Sequence, residues 1–355
     1  MKEQLREFNY LRTIATISII GIHASGPWRY TDALDKYGFI WNETMRYAIP
    51  LFLIISGFLL FNGNNKDGFS YLEYYRKRFS RIVVPYILWT IFYFVYDNKN
   101  NLMELWEFKV RSIVRLIRML CVGYGHLYFI VIILQMYILF PVLIKLIRRY
   151  PKAVLSAAFL MTFYLQTAEY LNLYQIEIFW MFDHRFYQNM FPTWIFYFAF
   201  GMYASANIPT ITKIASNYRI ELFIIWITSL IILLLDSEFS RAFTTSIKPT
   251  VLLYAITSFL FFYSISISFH VITNPAGKFA DWVSSQSYII YLSHLFFIRE
   301  IRMLTNNDNW NSLLGMTALF FLTLISCLLF AYIISLRSVA PWLGGTNIWR
   351  SEKQS

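Results

Sequence analysis

The chain has 355 residues, of which 57% are hydrophobic, 20% aromatic and only 14% charged. A soluble domain carries about 25% charged residues, so a water-soluble globular protein is excluded and a polytopic membrane protein is predicted. The formal net charge of +11 reads as loop lysines and arginines that set orientation and meet anionic headgroups. It does not read as a nucleic-acid footprint, because no soluble domain is there to carry one.

Apolar runs of bilayer-crossing length predict an all-α integral membrane fold with about ten transmembrane helices, in one domain over residues 1–355. They fall near 8–28, 47–62, 82–97, 124–144, 153–172, 191–206, 220–236, 249–271, 286–303 and 312–336. The first run lacks a small-residue cleavage site after it and reads as a retained span. Pro85 opens the third and Pro192 precedes the sixth, which neighbouring helices can tolerate. Basic residues gather at alternate connections: Lys2, Arg6 and Arg12; Arg76 to Arg81; Lys145 to Lys152; Lys213 and Arg219; Lys278; and Arg337, Arg350 and Lys353. All fall on one side if both termini are cytoplasmic, as expected of a multi-pass protein of the plasma membrane.

Residues 99–118 resist that count, because Lys99, Lys109, Arg111, Arg115 and Arg118 are placed outside. Ile113, Leu116, Ile117 and Leu120 recur between the arginines at helical spacing. The segment is expected to be an amphipathic helix in the outer interface. The competing reading is that the third span fails to cross, which would invert everything after it.

Ionisable groups at membrane depth are costly and mark function. Arg12 and His23 share the first span, eleven residues apart, hence on one helical face about 16 Å apart along the axis. A histidine in an apolar helix is more often a packing residue than a catalyst. His23 stands out because Arg12 lies on its face and Ala24 to Trp28 suits a turn. His126 opens the fourth span within Gly-Tyr-Gly-His-Leu-Tyr, where the glycines permit close backbone approach. Ser287, Tyr291 and His294 line one stripe of the ninth span, and function and interhelical glue explain it equally well. His184 is expected to be a solvated loop histidine and His270 interfacial. In Tyr75 to Arg81, Arg78 and Arg81 share a helical face just before a span. With Lys77 they suit either a positive-inside anchor or a phosphate site. Cys121 and Cys327 have no C-x-x-C spacing, and no metal site, P-loop or dinucleotide fingerprint is present.

Five of these stretches together resemble the membrane-bound acyltransferase 3 family. The arginine, ten residues, histidine motif is similar to Arg12 and His23 within Asn9-Tyr-Leu-Arg-Thr-Ile-Ala15. The second-span pattern resembles Leu51-Phe-Leu-Ile-Ile-Ser-Gly-Phe58. A basic motif before proline is similar to Arg78-Phe-Ser-Arg-Ile-Val-Val-Pro-Tyr86. The remaining two resemble His126-Leu-Tyr-Phe129 and Ser287 to His294. Asn9 stands where many members carry an acidic residue, and Lys77 where many carry arginine. The length, without a fused hydrolase-like domain, resembles a narrower branch tied to poly-N-acetylglucosamine adhesin export or O-succinylation in Gram-positive bacteria.

The resemblance implies a bacterial membrane O-acyltransferase. Its donor would be cytoplasmic acetyl-CoA or succinyl-CoA, used as substrate with no tightly bound cofactor or metal, and its acceptor a hydroxyl of an envelope glycan. Arg12, Lys77, Arg78 and Arg81 would meet the donor phosphates and His23 would act as general base. His126, Ser287, Tyr291, His294 and Ser56 would support catalysis or orient substrate. Direct transfer and an acyl-enzyme on histidine, Ser56 or Ser293 both stay open. The rival expectation is a translocator of a polysaccharide or lipid-linked sugar that leaves its cargo unmodified.

Overall fold

A computed structural model describes residues 6–26, 35–64, 70–99, 110–172, 184–240, 245–269, 275–305, 310 and 312–347. The protein is all-helical, with no strand among the described residues. The helices are α1 (Arg6–Ala24), α2 (Asp35–Thr44), α3 (Ala48–Asn64), α4 (Tyr71–Asp97), α5 (Val110–Val122), α6 (Tyr128–Arg149) and α7 (Pro151–Asn172). They continue as α8 (His184–Asn189), α9 (Ile195–Ala206), α10 (Ile208–Asn217), α11 (Arg219–Ser240), α12 (Pro249–Phe269), α13 (Pro275–Leu304) and α14 (Leu313–Ser335).

Each expected span coincides with one of these helices. Six stretches are long and apolar enough to cross a bilayer: Tyr37–Asn64, Tyr71–Asp97, Gly125–Arg149, Arg219–Ser240, Pro249–Ser268 and Leu313–Ser335. The other four expected spans fall short for visible reasons. α9 has 12 residues, about 18 Å of helix. Within their expected spans α1 carries Arg12 and His23, α7 carries Gln166 and Glu169, and α13 carries Gln286, His294, Arg299, Glu300 and Arg302. The multi-pass protein is apolar on its outside. α11 exposes Ile224, Ile225, Ile231 and Leu235, and α14 exposes Leu314, Leu322, Ile325 and Leu329. Their buried sides hold Ser229 and Ser237, and Thr323 and Cys327. Lipid cannot satisfy polar groups, so these face protein.

α1 lies at the centre. One large core joins it through Phe8, Leu11, Ile19 and Ile22 to α3, α4, α6, α9 and α12. A second core joins Ile20 and Ala24 to α13 and α14. α3 and α9 cross in close backbone contact. A Cβ added at Gly57 would strike the Phe198 carbonyl, and one at Gly201 the Ile54 carbonyl. Small residues thus let the two backbones touch.

α1 and α13 run parallel. At their N-terminal ends Asn9 Nδ2 donates to Asp281 Oδ1 at 2.8 Å, and Thr13 Oγ1 donates to the Ala280 carbonyl at 2.8 Å. Farther along, the rings of His23 and His294 meet. α4 runs parallel to α13 as well, because Tyr288 donates to the Ile82 carbonyl and Arg299 to Asp97. α5 is the expected amphipathic helix: Val110, Ile113, Val114 and Ile117 are exposed apolar residues, and only Met119 is buried. Residues 100–109 of that expectation, together with His270, lie outside the described residues.

Candidate active site

Three histidines distant in sequence converge at the C-terminal end of α1. The His126 and His294 ring centroids are 4.8 Å apart, His23 and His294 5.0 Å, and His23 and His126 6.3 Å. His23 occupies the last turn of α1 and is half-buried. His126 sits in a single 3-10 turn before α6. Gly123 enters that turn at φ +88, and a Cβ there would strike the Tyr128 backbone. Glycine is therefore what permits the sharp reversal that presents His126. His294 lies inside α13 and is fully buried.

Backbone carbonyls fix two of the rings. The Tyr291 carbonyl faces His294 Nδ1 at 2.6 Å, so Nδ1 carries the proton. The Leu292 carbonyl faces His126 Nε2 at 3.4 Å, which assigns that ring the opposite tautomer. The remaining nitrogens, His294 Nε2 and His126 Nδ1, are buried and have no hydrogen-bond partner among the described residues. Buried polar atoms are nearly always paired, so two orphaned lone pairs side by side mark a place where a substrate atom belongs. Tyr291 donates to the His126 carbonyl, and Tyr93 donates to the Leu292 carbonyl at 2.8 Å. Tyr291 thus ties α13 to the His126 turn, as the interhelical-glue reading of the Ser287–Tyr291–His294 stripe expects. Among the described residues, no group of three or more His, Cys, Asp or Glu side chains is placed to hold a metal ion.

The cluster opens into a cavity of about 630 Å³ lined by His23, His126, Tyr124, Tyr128, Gln188 and Asn189, with Arg115, Arg118 and Arg185 among its further lining residues. That size holds a small-molecule ligand. At the other end of α1, Arg12 is half-buried and within electrostatic range of Arg78 and Tyr137. Arg12 and Arg78 thus sit at the same end of the α1–α4 pair, within electrostatic range of each other. Lys77 and Arg81 remain exposed on α4. Ser56 is half-buried in α3 and Ser287 buried in α13, and neither hydrogen-bonds a histidine. The Ser293 hydroxyl donates to the Ile289 carbonyl at 2.8 Å within its own helix.

His184 departs from expectation in part. It is exposed, as expected, but it starts α8 and contacts the buried Glu169 carboxylate instead of lying in a loop. Asn9 is also accounted for. It donates to Asp281 and accepts from Ser284 at 3.0 Å, so α13 supplies a carboxylate beside this part of α1.

A second polar group near the histidines had no signal in the reading of the sequence. Lys248 is fully buried, with its ammonium 3.3 Å from Glu43 Oε2 and 3.6 Å from Asp236 Oδ2. Arg46 Nε lies 3.6 Å from Glu43 Oε1. Arg46 also donates to Asn42, whose Nδ2 donates to the Ile22 carbonyl and to Ser25 Oγ, both at 2.8 Å. A chain of charge and hydrogen bonds thus runs from α12 to the backbone beside His23. Its only traces in the sequence are Lys248 just before an apolar run and Glu43 near the start of another.

Residues 5–332 match the acyltransferase 3 family, described as an acyltransferase domain, and the chain belongs to that family. Among its relatives are the probable poly-beta-1,6-N-acetyl-D-glucosamine export proteins of Staphylococcus aureus strains MRSA252 and NCTC 8325 / PS 47. Each is 24% identical over 342 residues, covering 91% of this chain and 91% of the relative. No solved structure matches the chain.

Proposed function

We propose that the protein moves an acetyl or succinyl group from cytoplasmic acyl-CoA to a hydroxyl of a cell-envelope polysaccharide, using ten membrane crossings with both termini inside. The observation that carries this reading is the polarity of α1. Guanidinium groups gather at one end, and three imidazoles, two with orphaned nitrogens, gather at the other. The parallel course of α1, α4 and α13 supports the crossing count, since the first, third and ninth crossings must point the same way.

Donor and acceptor lie on opposite sides of the membrane. The nucleotide phosphates cannot enter hydrocarbon, so they stay at the Arg12 end, held by Arg78 and Arg12 with Arg81 and Lys77 nearby. The narrow pantetheine arm reaches along α1 toward the histidines. There His23 takes the proton of the acceptor hydroxyl as the oxygen attacks the thioester carbonyl. The carbon–sulfur bond breaks, and the proton passes to the departing thiolate. An imidazole with a reference pKa near 6.5 suits both transfers. His126 Nδ1 and His294 Nε2 offer acceptors beside it, and direct transfer needs no acyl-serine.

His23→Ala should abolish O-acylation of the surface glycan while the protein still accumulates in the membrane. Glycan acylation at the normal level in that variant removes His23 from catalysis. The relatives' printed names favour a second reading, export without modification. Mass analysis of the surface polymer with and without the protein separates the two, because an exporter changes the amount of polymer and not its mass per residue.

A further inference from the structure

The cavity beside the histidines is basic. Arg115 and Arg118 from α5 and Arg185 from α8 line it, and among the described residues no aspartate or glutamate does. Arg118 has no ion-pair or hydrogen-bond partner among the described residues, and Arg115 reaches only Asn98 Oδ1, at 3.4 Å. Carboxylates elsewhere on the parallel helices are engaged. Asp97 accepts from Arg299 at 2.9 Å, and Glu300 accepts from Tyr96. The cavity also holds unmet hydrogen-bonding capacity at depth. Asn189, 7% exposed, has an unpartnered Oδ1, and His126, 3% exposed, has an unpartnered Nδ1. Two acceptors at the bottom suit sugar hydroxyls. Forked guanidinium donors at the wall suit a carboxylate or phosphate. The rings of Tyr124 and Tyr128 complete a lining that suits a saccharide.

We infer that this cavity is the acceptor site and that the acceptor sugar is anionic, carrying a carboxylate or phosphate that Arg115, Arg118 and Arg185 hold while a neighbouring hydroxyl faces His23. The inference rests on the acyltransferase reading for the word acceptor, but the binding itself does not require the donor. A neutral polymer alone would leave Arg115 and Arg118 without an anionic ligand. The inference therefore separates this chain's acceptor from the poly-N-acetylglucosamine in its relatives' names, unless that polymer bears an acidic substituent.

The test is binding to the full-length protein in phosphatidylcholine nanodiscs, without acyl-CoA. N-acetylglucosamine 6-phosphate, glucuronic acid, N-acetylglucosamine and inorganic phosphate are the probes. The two acidic sugars should bind at least tenfold more tightly than the neutral sugar or phosphate alone. Arg115→Gln with Arg118→Gln should remove that preference, and Arg118→Lys should restore part of it. An unchanged melting temperature in the absence of probe shows that the variants fold. Equal affinity for acidic and neutral sugars overturns the inference, and so does binding of inorganic phosphate as tight as that of the sugar phosphate. Stabilisation by phosphatidylglycerol nanodiscs with no response to sugar phosphate also overturns it and assigns the arginines to lipid headgroups. If acidic sugars bind as expected and His23→Ala still acylates the glycan, the catalytic reading fails and the binding site stands.

Discussion

Replacing Lys248 with methionine should destabilise the protein more than any other single loss of charge in it. The ammonium is fully buried between Glu43 at 3.3 Å and Asp236 at 3.6 Å, and it also donates to Ser237. In the ion pairs that join these side chains among the described residues, Lys248 and Arg46 balance Glu43 and Asp236. Methionine keeps most of the volume and removes the charge, which leaves two carboxylates without their shared cation. Breaking a buried pair in this way costs about 3–5 kcal/mol, because the uncompensated charge remains out of water. Asp236→Asn in the Lys248→Met background removes the carboxylate left without a cation, since Glu43 keeps Arg46 at 3.6 Å, and should recover a substantial part of that loss. The assay is the fraction of detergent-solubilised protein that stays monodisperse after heating, for wild type, both single variants and the double. Melting of Lys248→Met at the wild-type temperature would show that the network contributes nothing, as would a double variant less stable than Lys248→Met. Because Arg46 and Asn42 connect this network to the Ile22 carbonyl, the surviving folded fraction of Lys248→Met should also acylate more slowly.

Arg78→Ala should weaken acyl-CoA binding more than Arg81→Ala, since Arg78 is the one within range of Arg12; each lost charge-assisted bond is worth about 1.5–3 kcal/mol. Isothermal titration in detergent would check this, and equal affinities for wild type and both variants would remove them from the donor site. Gly201→Val should lower the melting temperature sharply, because its side chain meets the Ile54 carbonyl, and overpacking costs about 1–3 kcal/mol or more. An unchanged melting curve would contradict the close α3–α9 crossing. Tyr291→Phe loses the bond that holds the His126 carbonyl and should slow acylation by up to about tenfold at nearly constant protein level. A rate equal to wild type would assign Tyr291 to packing alone.

The helices and their order were legible because bilayer crossing demands long apolar runs, and such runs are local. α5 was legible for the same reason: arginines and aliphatic residues alternate there at helical spacing. The Arg12–His23 pair could be read from one helix alone, since eleven residues return to the same face. His126 and His294 were visible as candidates, but only as polar residues that needed a reason.

Sequence alone determined that this is a multi-pass helical membrane protein and that α1 carries a cation at one end and an imidazole at the other. Tertiary structure alone decided that His126 and His294 close on His23, because 103 and 168 residues of chain separate His23 from His126 and His126 from His294. It also decided that Lys248 is buried against Glu43 and Asp236, and that α5 and α8 turn three arginines onto one cavity. The physical reason is range. Periodicity fixes which residues share a helix face, whereas partners for a buried charge or an imidazole come from packing between helices, which no local spacing encodes.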